Sequence, residues 1–226
     1  MPRRSIRATA AQFDLRPVLR EVGDLPAQLT SPLLFGNERP LEIEVGSGKG
    51  LFMQSVSAAN PKTNFVGVEI ARKYATMAAI RLARSDAKNA LMIAGDAEPL
   101  FASRIPVELL AAVHVYFPDP WWKAKHKSRR VLNDQFIANA VRTLQVGGRF
   151  HFWTDVLDYF SSTIERMAMV APELGPPLPE VCTEAKHELD YRTHFERRSR
   201  QHAIPVYRVY YRKLQSSPER PTDIGG

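Results

Sequence analysis

Three features of the sequence predict an α/β fold, a mostly parallel, doubly wound sheet covered by helices. Apolar runs of strand length alternate with helical periodicity from Leu41 to Trp153. The runs are almost continuously apolar, as strands buried on both faces must be. The first of them ends in Gly46-Ser47-Gly48-Lys49-Gly50, a turn that opens directly into a helical pattern. At 226 residues and 44% hydrophobic, the chain suffices for one sizeable domain of this kind and is short for two.

Residues 1 to 38, of mixed polarity with Pro17, Pro26 and Pro32, predict a flexible or irregular segment. From Pro40 the pattern sharpens. Leu41 to Val45 reads as the first strand, and Leu51 to Ala59 as a helix closed by Asn60-Pro61. Asn64 to Glu69 is the second strand, followed by an amphipathic helix over 72–84 with Tyr74, Met77, Ala78 and Leu82 on its apolar face. Ala90 to Ala94 ends at Gly95-Asp96, and Leu109 to Tyr116 makes the fourth strand. Asn133 can cap a helix running to Leu144, which Gly147-Gly148 breaks. Arg149 to Trp153 is a fifth strand before Thr154-Asp155 and a helix over 156–170. A loop with four prolines precedes a short run near Val181, and Val206 to Tyr211 has the β-branched and aromatic content of a last strand. The single domain therefore spans 39–214, and the polar stretch 215–226 predicts a disordered tail.

Charge and cysteine content narrow the function. Lys plus Arg number 31 against 24 acids, a net +7 that suits a protein meeting phosphates. Cys182 is the only cysteine, so no intrachain disulfide can form and a reducing, cytoplasmic setting is expected. No apolar stretch approaches the roughly 20 residues that span a bilayer, so no membrane partner is expected. The six histidines show no zinc-type pairing with Cys182, and no metal is predicted.

The chemistry gathers at the strand ends. Each of the first four carries an acid: Glu44, Glu69, Asp96 and Asp119. Open α/β sheets bind ligands at this carboxyl edge. Glu69 lies 21 residues beyond Gly48, the spacing at which an acid takes ribose hydroxyls. The glycine turn fits neither the dinucleotide fingerprint, since position 51 is Leu51, nor a P-loop, since Lys49 is followed by Gly50. Four carboxylates disfavour a phosphorylated cofactor and tolerate a cationic one, and S-adenosylmethionine, with its sulfonium and ammonium, is such a ligand. After the fourth strand, Phe117-Pro118-Asp119-Pro120-Trp121-Trp122 leaves the sheet abruptly and holds Asp119 on a stiff corner. Lys123, Lys125, Lys127, Arg129 and Arg130 follow with no acid between them, a run that suits RNA phosphates. Trp121 offers a face on which a base can stack.

These segments, with Gly67-Val68-Glu69, Gly95-Asp96-Ala97, Thr154-Asp155 and Thr193-His194-Phe195-Glu196-Arg197, resemble the bacterial tRNA (guanine-N7-)-methyltransferase family from about Pro40 to Lys213. The glycine turn is shared by most class I methyltransferases, whereas the Asp119 and Thr193 motifs together are specific to this family. Trp122 departs from the usual pattern, and Ala124 and Ser128 interrupt the basic run. The resemblance implies a Rossmann-like class I methyltransferase fold with an antiparallel last strand. It implies methyl transfer from S-adenosylmethionine to N7 of a variable-loop guanine in tRNA, releasing S-adenosylhomocysteine. It also implies cofactor contacts at Glu44, Gly46, Gly48, Glu69, Asp96 and Asp119, and substrate contacts at Lys123, Asp155, Thr193, His194, Phe195 and Glu196. Asp119 is the catalytic candidate, facing either cofactor or guanine. No obligate protein partner is implied, and the expected assembly is a monomer or homodimer.

Guanine N7 carries a free lone pair and no proton at neutral pH, so its attack on a sulfonium methyl needs alignment and desolvation rather than a strong base. Two alternatives compete. A methyltransferase of exocyclic amino groups would place Asp/Asn-Pro-Pro-aromatic where this chain has Asp119-Pro120-Trp121-Trp122. A non-catalytic basic RNA-binding protein would have no need of an intact glycine turn beside four acids.

Overall fold

The alternating pattern resolves into one eight-stranded sheet in the computed structural model, which describes residues 6–121, 130–180, 193–202 and 204–217. In chain order the strands are β1 (Leu19–Glu21), β2 (Leu41–Val45), β3 (Asn64–Glu69), β4 (Ala90–Ala94), β5 (Leu110–Tyr116), β6 (Leu144–Thr154), β7 (Leu178–Pro179) and β8 (Tyr207–Arg212). They lie in the order β1-β4-β3-β2-β5-β6-β8-β7. Strands β1 to β6 are parallel, and β8 runs antiparallel to both of its neighbours. The direction of chain travel reverses at β2, where the path to β3 and β4 leaves one way and β5 lies on the other. Ligands of such sheets bind at this switch point.

The helices are α1 (Ile6–Ala10), α2 (Ser31–Phe35), α3 (Leu51–Ala59), α4 (Arg72–Arg84), α5 (Ala97–Ser103), α6 (Asp134–Thr143), α7 (Leu157–Val170) and α8 (His194–Gln201). Side chains alternate across the strands, so Ile43, Val45, Val66, Val68, Val113 and Val115 pack with Phe101, Phe136, Ile137 and Val141 of α5 and α6. Phe65 and Met92 point to the opposite face, against Phe52, Met53, Ala78, Ala79 and Leu82 of α3 and α4. Burial on both faces is what the unbroken apolar runs require. Asn133 caps α6 as expected, its Oδ1 accepting from Phe136 N–H at 2.8 Å.

The structure departs from the expected outline in several places, among them β7, which forms within the stretch expected to be a proline loop. The N-terminal stretch, expected to be irregular, contributes β1 as an edge strand whose Leu19, Arg20 and Glu21 pair with Met92, Ile93 and Ala94. Gly147-Gly148 does not separate helix from strand. Leu144 already pairs with Leu110, residues 145–148 bulge outward, and pairing resumes at Ala112 with Arg149. A Cβ on Gly148 would sit 2.8 Å from Gln145 O and 3.0 Å from Leu110 O, which accounts for glycine there. Helix α5, too short for a visible period, follows Asp96 directly. The run near Val181 and the tail from 218 onward lie outside the described residues.

Two contacts set the height of the glycine turn. Gly46 N–H donates to Val68 O at 2.8 Å, and Gly50 begins α3 at φ 72° against α4. A Cβ on Gly50 would lie 2.5 Å from Ala78 Cβ and 2.9 Å from Ala78 Cα. Gly50→Ala therefore combines a left-handed backbone, about 1–2 kcal/mol, with overpacking of about 1–3 kcal/mol. Thermal unfolding without ligand should show Tm lowered by roughly 5–15 °C. A wild-type Tm would mean that α3 and α4 part without cost.

Beneath the tips of β5 and β6 lies a polar and aromatic layer. His114 Nε2 is 2.8 Å from Glu42 Oε2, and its Nδ1 is 2.9 Å from the Tyr116 hydroxyl. His151 stacks on His114 at 4.7 Å, while Glu180 Oε2 accepts from Trp153 Nε1–H at 2.8 Å and lies 2.9 Å from His151 Nδ1. These partners fix the orientation of Tyr116 and Trp153, the last layer of side chains below the site.

Candidate functional site

The strand register sets five acidic tips side by side. Val45 is level with Val68 on one side and Val115 on the other, Glu69 with Ala94, and Tyr116 with Trp153. Reading along the carboxyl edge, Asp96, Glu69, Glu44, Asp119 and Asp155 leave neighbouring strands. At about 4.8 Å per strand the strands that bear them span roughly 19 Å.

The Glu44 and Glu69 side chains occupy the switch point with the glycine turn. Glu69 is buried, and its oxygens accept from Gly48 N–H and Ala71 N–H, each at 2.8 Å. Each carboxylate oxygen has a second acceptor site, which suits hydroxyl donors. Glu44 is 3% exposed, and its Oε2 has no hydrogen-bond partner. Burial pushes its carboxyl up to about 8, an effect that the Ser47 hydroxyl partly offsets and the Glu69 charge reinforces. A buried carboxyl so placed lacks a cationic donor, and an ammonium group is one. Gly46 and Gly48 have φ of 79° and 52°, and a Cβ on either would meet nothing within 4 Å. The turn thus leaves open space beside the two acids, and these residues fit S-adenosylmethionine. Asp96 stands one strand further out, exposed, where it caps α5 by accepting from Glu98 N–H at 3.0 Å.

On the other side of Glu44 the chain turns sharply. Phe117, buried, adopts φ 49° and donates its N–H to Trp153 O at 2.8 Å. A left-handed aromatic residue is a rare conformer that persists only where its surroundings impose it, and such residues gather at functional sites. Trp121 is also left-handed, at φ 42°. Between them Asp119 is exposed. Arg130 clamps this corner, with Nε donating to Pro120 O at 2.8 Å and its guanidinium 4.6 Å from the centre of the Tyr159 ring. Burial pushes the Tyr159 phenol up to about 12, so the ring stays neutral beneath that cation. Lys123 and the rest of the run through Arg129 lie outside the described residues.

The Thr193 motif reaches the same corner from the far end of the chain. Thr193 Oγ1 accepts from Glu196 N–H at 3.0 Å and caps α8, whose first residue is His194. Phe195, 54% exposed, stacks on Phe117 with ring centres 5.9 Å apart and planes 18° from parallel. Asp155 is half-buried on the loop after β6. Glu196, expected on the substrate side, is packed beneath that corner. It is 1% exposed, with Oε1 3.5 Å from an Arg208 Nη, and Arg208 in turn lies 4.9 Å over the Trp153 ring.

Comparison with known proteins identifies the family. A family model described as "Putative methyltransferase" matches residues 38–209. A tRNA (guanine-N(7)-)-methyltransferase of Rhodopirellula baltica is 58% identical, covering 94% of this chain and 80% of the relative. The enzyme of the same name from Geobacter metallireducens is 34% identical across 83% of this chain and 90% of its own. The chain belongs to the tRNA (guanine-N7-)-methyltransferase family. Among solved structures, the 16S rRNA methyltransferase KamB superposes with a TM-score of 0.57 at 16% identity, covering 83% of this chain and 96% of that one. The antibiotic-resistance methyltransferase Kmr gives 0.55 at 16% identity, with 87% and 99% covered. At such identities the likeness is one of fold, and it is the class I methyltransferase fold.

Within this family member, sequence reasoning missed the parts that hold the corner: the left-handed Phe117, its stack on Phe195, and the Arg130–Tyr159 clamp. Arg130 had counted only as part of the cationic run. The signal available for Phe117 was its place between a buried strand and proline, a position where the backbone is already restricted. Among the described residues, no group of three or more His, Cys, Asp or Glu could hold a metal ion. No helix among them is long and apolar enough to cross a membrane.

Proposed function

We propose that this methyltransferase acts on N7 of a guanine in the variable loop of tRNA, using S-adenosylmethionine. The observation that carries the reading is the 58% identity to a tRNA (guanine-N(7)-)-methyltransferase over nearly the whole chain. The geometry supports it, because a pocket suited to a cation adjoins an exposed aromatic face. When bound, the donor supplies an electrophilic methyl on its sulfonium. Glu69 accepts from the ribose hydroxyls, Glu44 from the ammonium, and Gly46 and Gly48 let the donor approach the backbone closely. Asp96 closes the outer end of the pocket.

Asp119 orients the guanine by accepting from its N1–H and N2–H₂ edge while also bordering the cofactor, and Asp155 assists from the next strand tip. No proton has to leave N7, so the residues act through alignment and exclusion of water. Thr193 and Phe195 form the wall on the substrate side, with Phe195 as a stacking face, and His194 is a further substrate contact by the family resemblance. Glu196 serves that wall by fixing α8 against Arg208, and Lys123 contributes charge toward the RNA. Methyl transfer needs no metal, and we place the enzyme in the cytoplasm as a monomer or homodimer without an obligate protein partner.

The test is incubation of unmodified tRNA with labelled donor, followed by aniline cleavage at the modified base. Label at a single variable-loop guanine is the expected result. Label on an exocyclic amino group, without cleavage, would replace this reading with that of an amino methyltransferase.

A further inference from the structure

We propose that the cationic groove along α4 is a second RNA contact, taking backbone phosphates of the same tRNA whose guanine enters the crevice. The groove encloses about 730 Å³ between the start of α3, the outer face of α4 and the N-terminal helix α1. Four cations line it, Lys49, Lys73, Arg81 and Arg84, and none of its lining residues is acidic. Helix α4 has no acid of its own; its Arg72 pairs with Glu21 at 2.8 Å outside the groove, while Lys73, Arg81 and Arg84 face the groove without an acid among its lining residues, an arrangement whose self-repulsion is relieved by bound anions. Lys73 and Arg84 are exposed, so both heads are accessible from solvent.

The groove is partly pre-shaped. Arg81 Nε donates to Lys49 O at 3.1 Å and one of its Nη atoms to Gln54 Oε1 at 3.1 Å, which ties the helix to the glycine turn. Lys49 Nζ stands 5.9 Å from the Tyr74 ring centre, and the Arg84 guanidinium lies 5.5 Å from that of Phe13. Tyr74, 42% exposed, adds an aromatic face among the charges, the combination that tracks a single-stranded backbone.

Continuity with the crevice selects the occupant. Lys49 sits between Gly48, which meets Glu69, and Gly50, so the groove begins where the cofactor pocket ends. A cationic methyl donor is repelled there, and the backbone of an RNA whose guanine alone enters the acidic crevice can run along it. The proposal rests on the tRNA reading above and extends the footprint of that substrate around the α3 side of the turn.

The experiment compares the Lys73→Glu/Arg84→Glu variant with the wild-type enzyme in tRNA binding across a salt series, with S-adenosylhomocysteine affinity measured alongside. Two phosphate contacts removed should weaken tRNA binding about 10-fold or more near physiological salt and reduce the slope of log affinity against log salt by about 1.5. S-adenosylhomocysteine affinity and kcat at saturating tRNA should stay at wild-type values. A milder Lys73→Gln/Arg84→Gln variant should show a smaller loss with the same fall in slope, and it decides the matter if charge reversal impairs folding. Unchanged tRNA affinity and slope would overturn the groove as an RNA contact and leave its cations to an acidic protein. Loss of cofactor affinity together with tRNA affinity would overturn it too, by showing that α4 acts through the glycine turn. Failure of the tRNA reading itself looks different, because then the wild-type enzyme places no methyl on guanine N7.

Discussion

Asp119→Ala is expected to lower turnover by about 10²- to 10³-fold while leaving tRNA affinity within a few fold, the loss that follows when a reacting group is no longer held in line. The nucleophile is the guanine ring itself, which needs no deprotonation, so positioning carries most of what the protein can add. Asp119 stands where that positioning is decided. It is exposed between the left-handed Phe117 and Trp121, on a corner that Arg130 holds through Pro120 O. Strain stored in such a corner serves to fix a side chain that packing alone leaves free. Because the carboxylate is exposed, its removal should leave Tm unchanged. Asp119→Asn adds a discriminating measurement. If the carboxylate accepts from guanine N1–H, one amide orientation presents N–H against N–H, and kcat falls nearly as far as with alanine while S-adenosylhomocysteine binds normally. If the carboxylate serves the cofactor, affinity for S-adenosylhomocysteine falls instead. A variant that turns over normally but fails to bind tRNA would overturn the positioning role.

How far the sequence discloses this site depends on which interactions are local. The acids Glu44, Glu69, Asp96 and Asp119 were legible because each ends an apolar run, and a parallel sheet aligns such ends by its hydrogen-bond register. The glycine turn was legible for the same reason, as a break in periodicity at a strand end. Edge strand β1 was not, because Leu19, Arg20 and Glu21 are all half-buried in a three-residue strand, which leaves no apolar alternation to read. Nor was the fate of Glu196. It lies between Phe195 and Arg197 in sequence, and only the fold brings Arg208, itself over Trp153, to it. Arg130 illustrates the same limit, since a guanidinium clamped to Tyr159 and one free to meet phosphate occupy identical places in a charge run. Long-range partners decide those roles, and periodicity carries no record of them.

Glu44→Gln should separate the electrostatic role of the buried acid from its shape, and it gives the second large effect. Without ligand, the wild-type carboxyl titrates at about 8, raised first by burial and then by Glu69, from an ordinary value of 4.5. A folded-state value above the unfolded one means stability that is fully present below pH 4.5 and declines as pH rises through 8, because only the unfolded chain readily gives up this proton. The decline approaches about 1.4 kcal/mol per pH unit across that window. The glutamine variant has no such proton, so its unfolding free energy should match wild type near pH 4 and exceed it increasingly toward pH 8. Ligand binding should reverse the ranking. A cation at Glu44 favours the ionised form, so S-adenosylmethionine uptake at pH 7 should release a proton from wild-type Glu44. Calorimetry in two buffers of different ionisation enthalpy measures this as the difference between wild type and Glu44→Gln. Affinity of the variant should fall by at least 10-fold, the worth of one charge-assisted hydrogen bond. Equal proton counts and equal affinity in the two proteins would remove Glu44 from the cofactor pocket and make it a buried structural acid, whose cost to the ligand-free fold would then have no offsetting ligand.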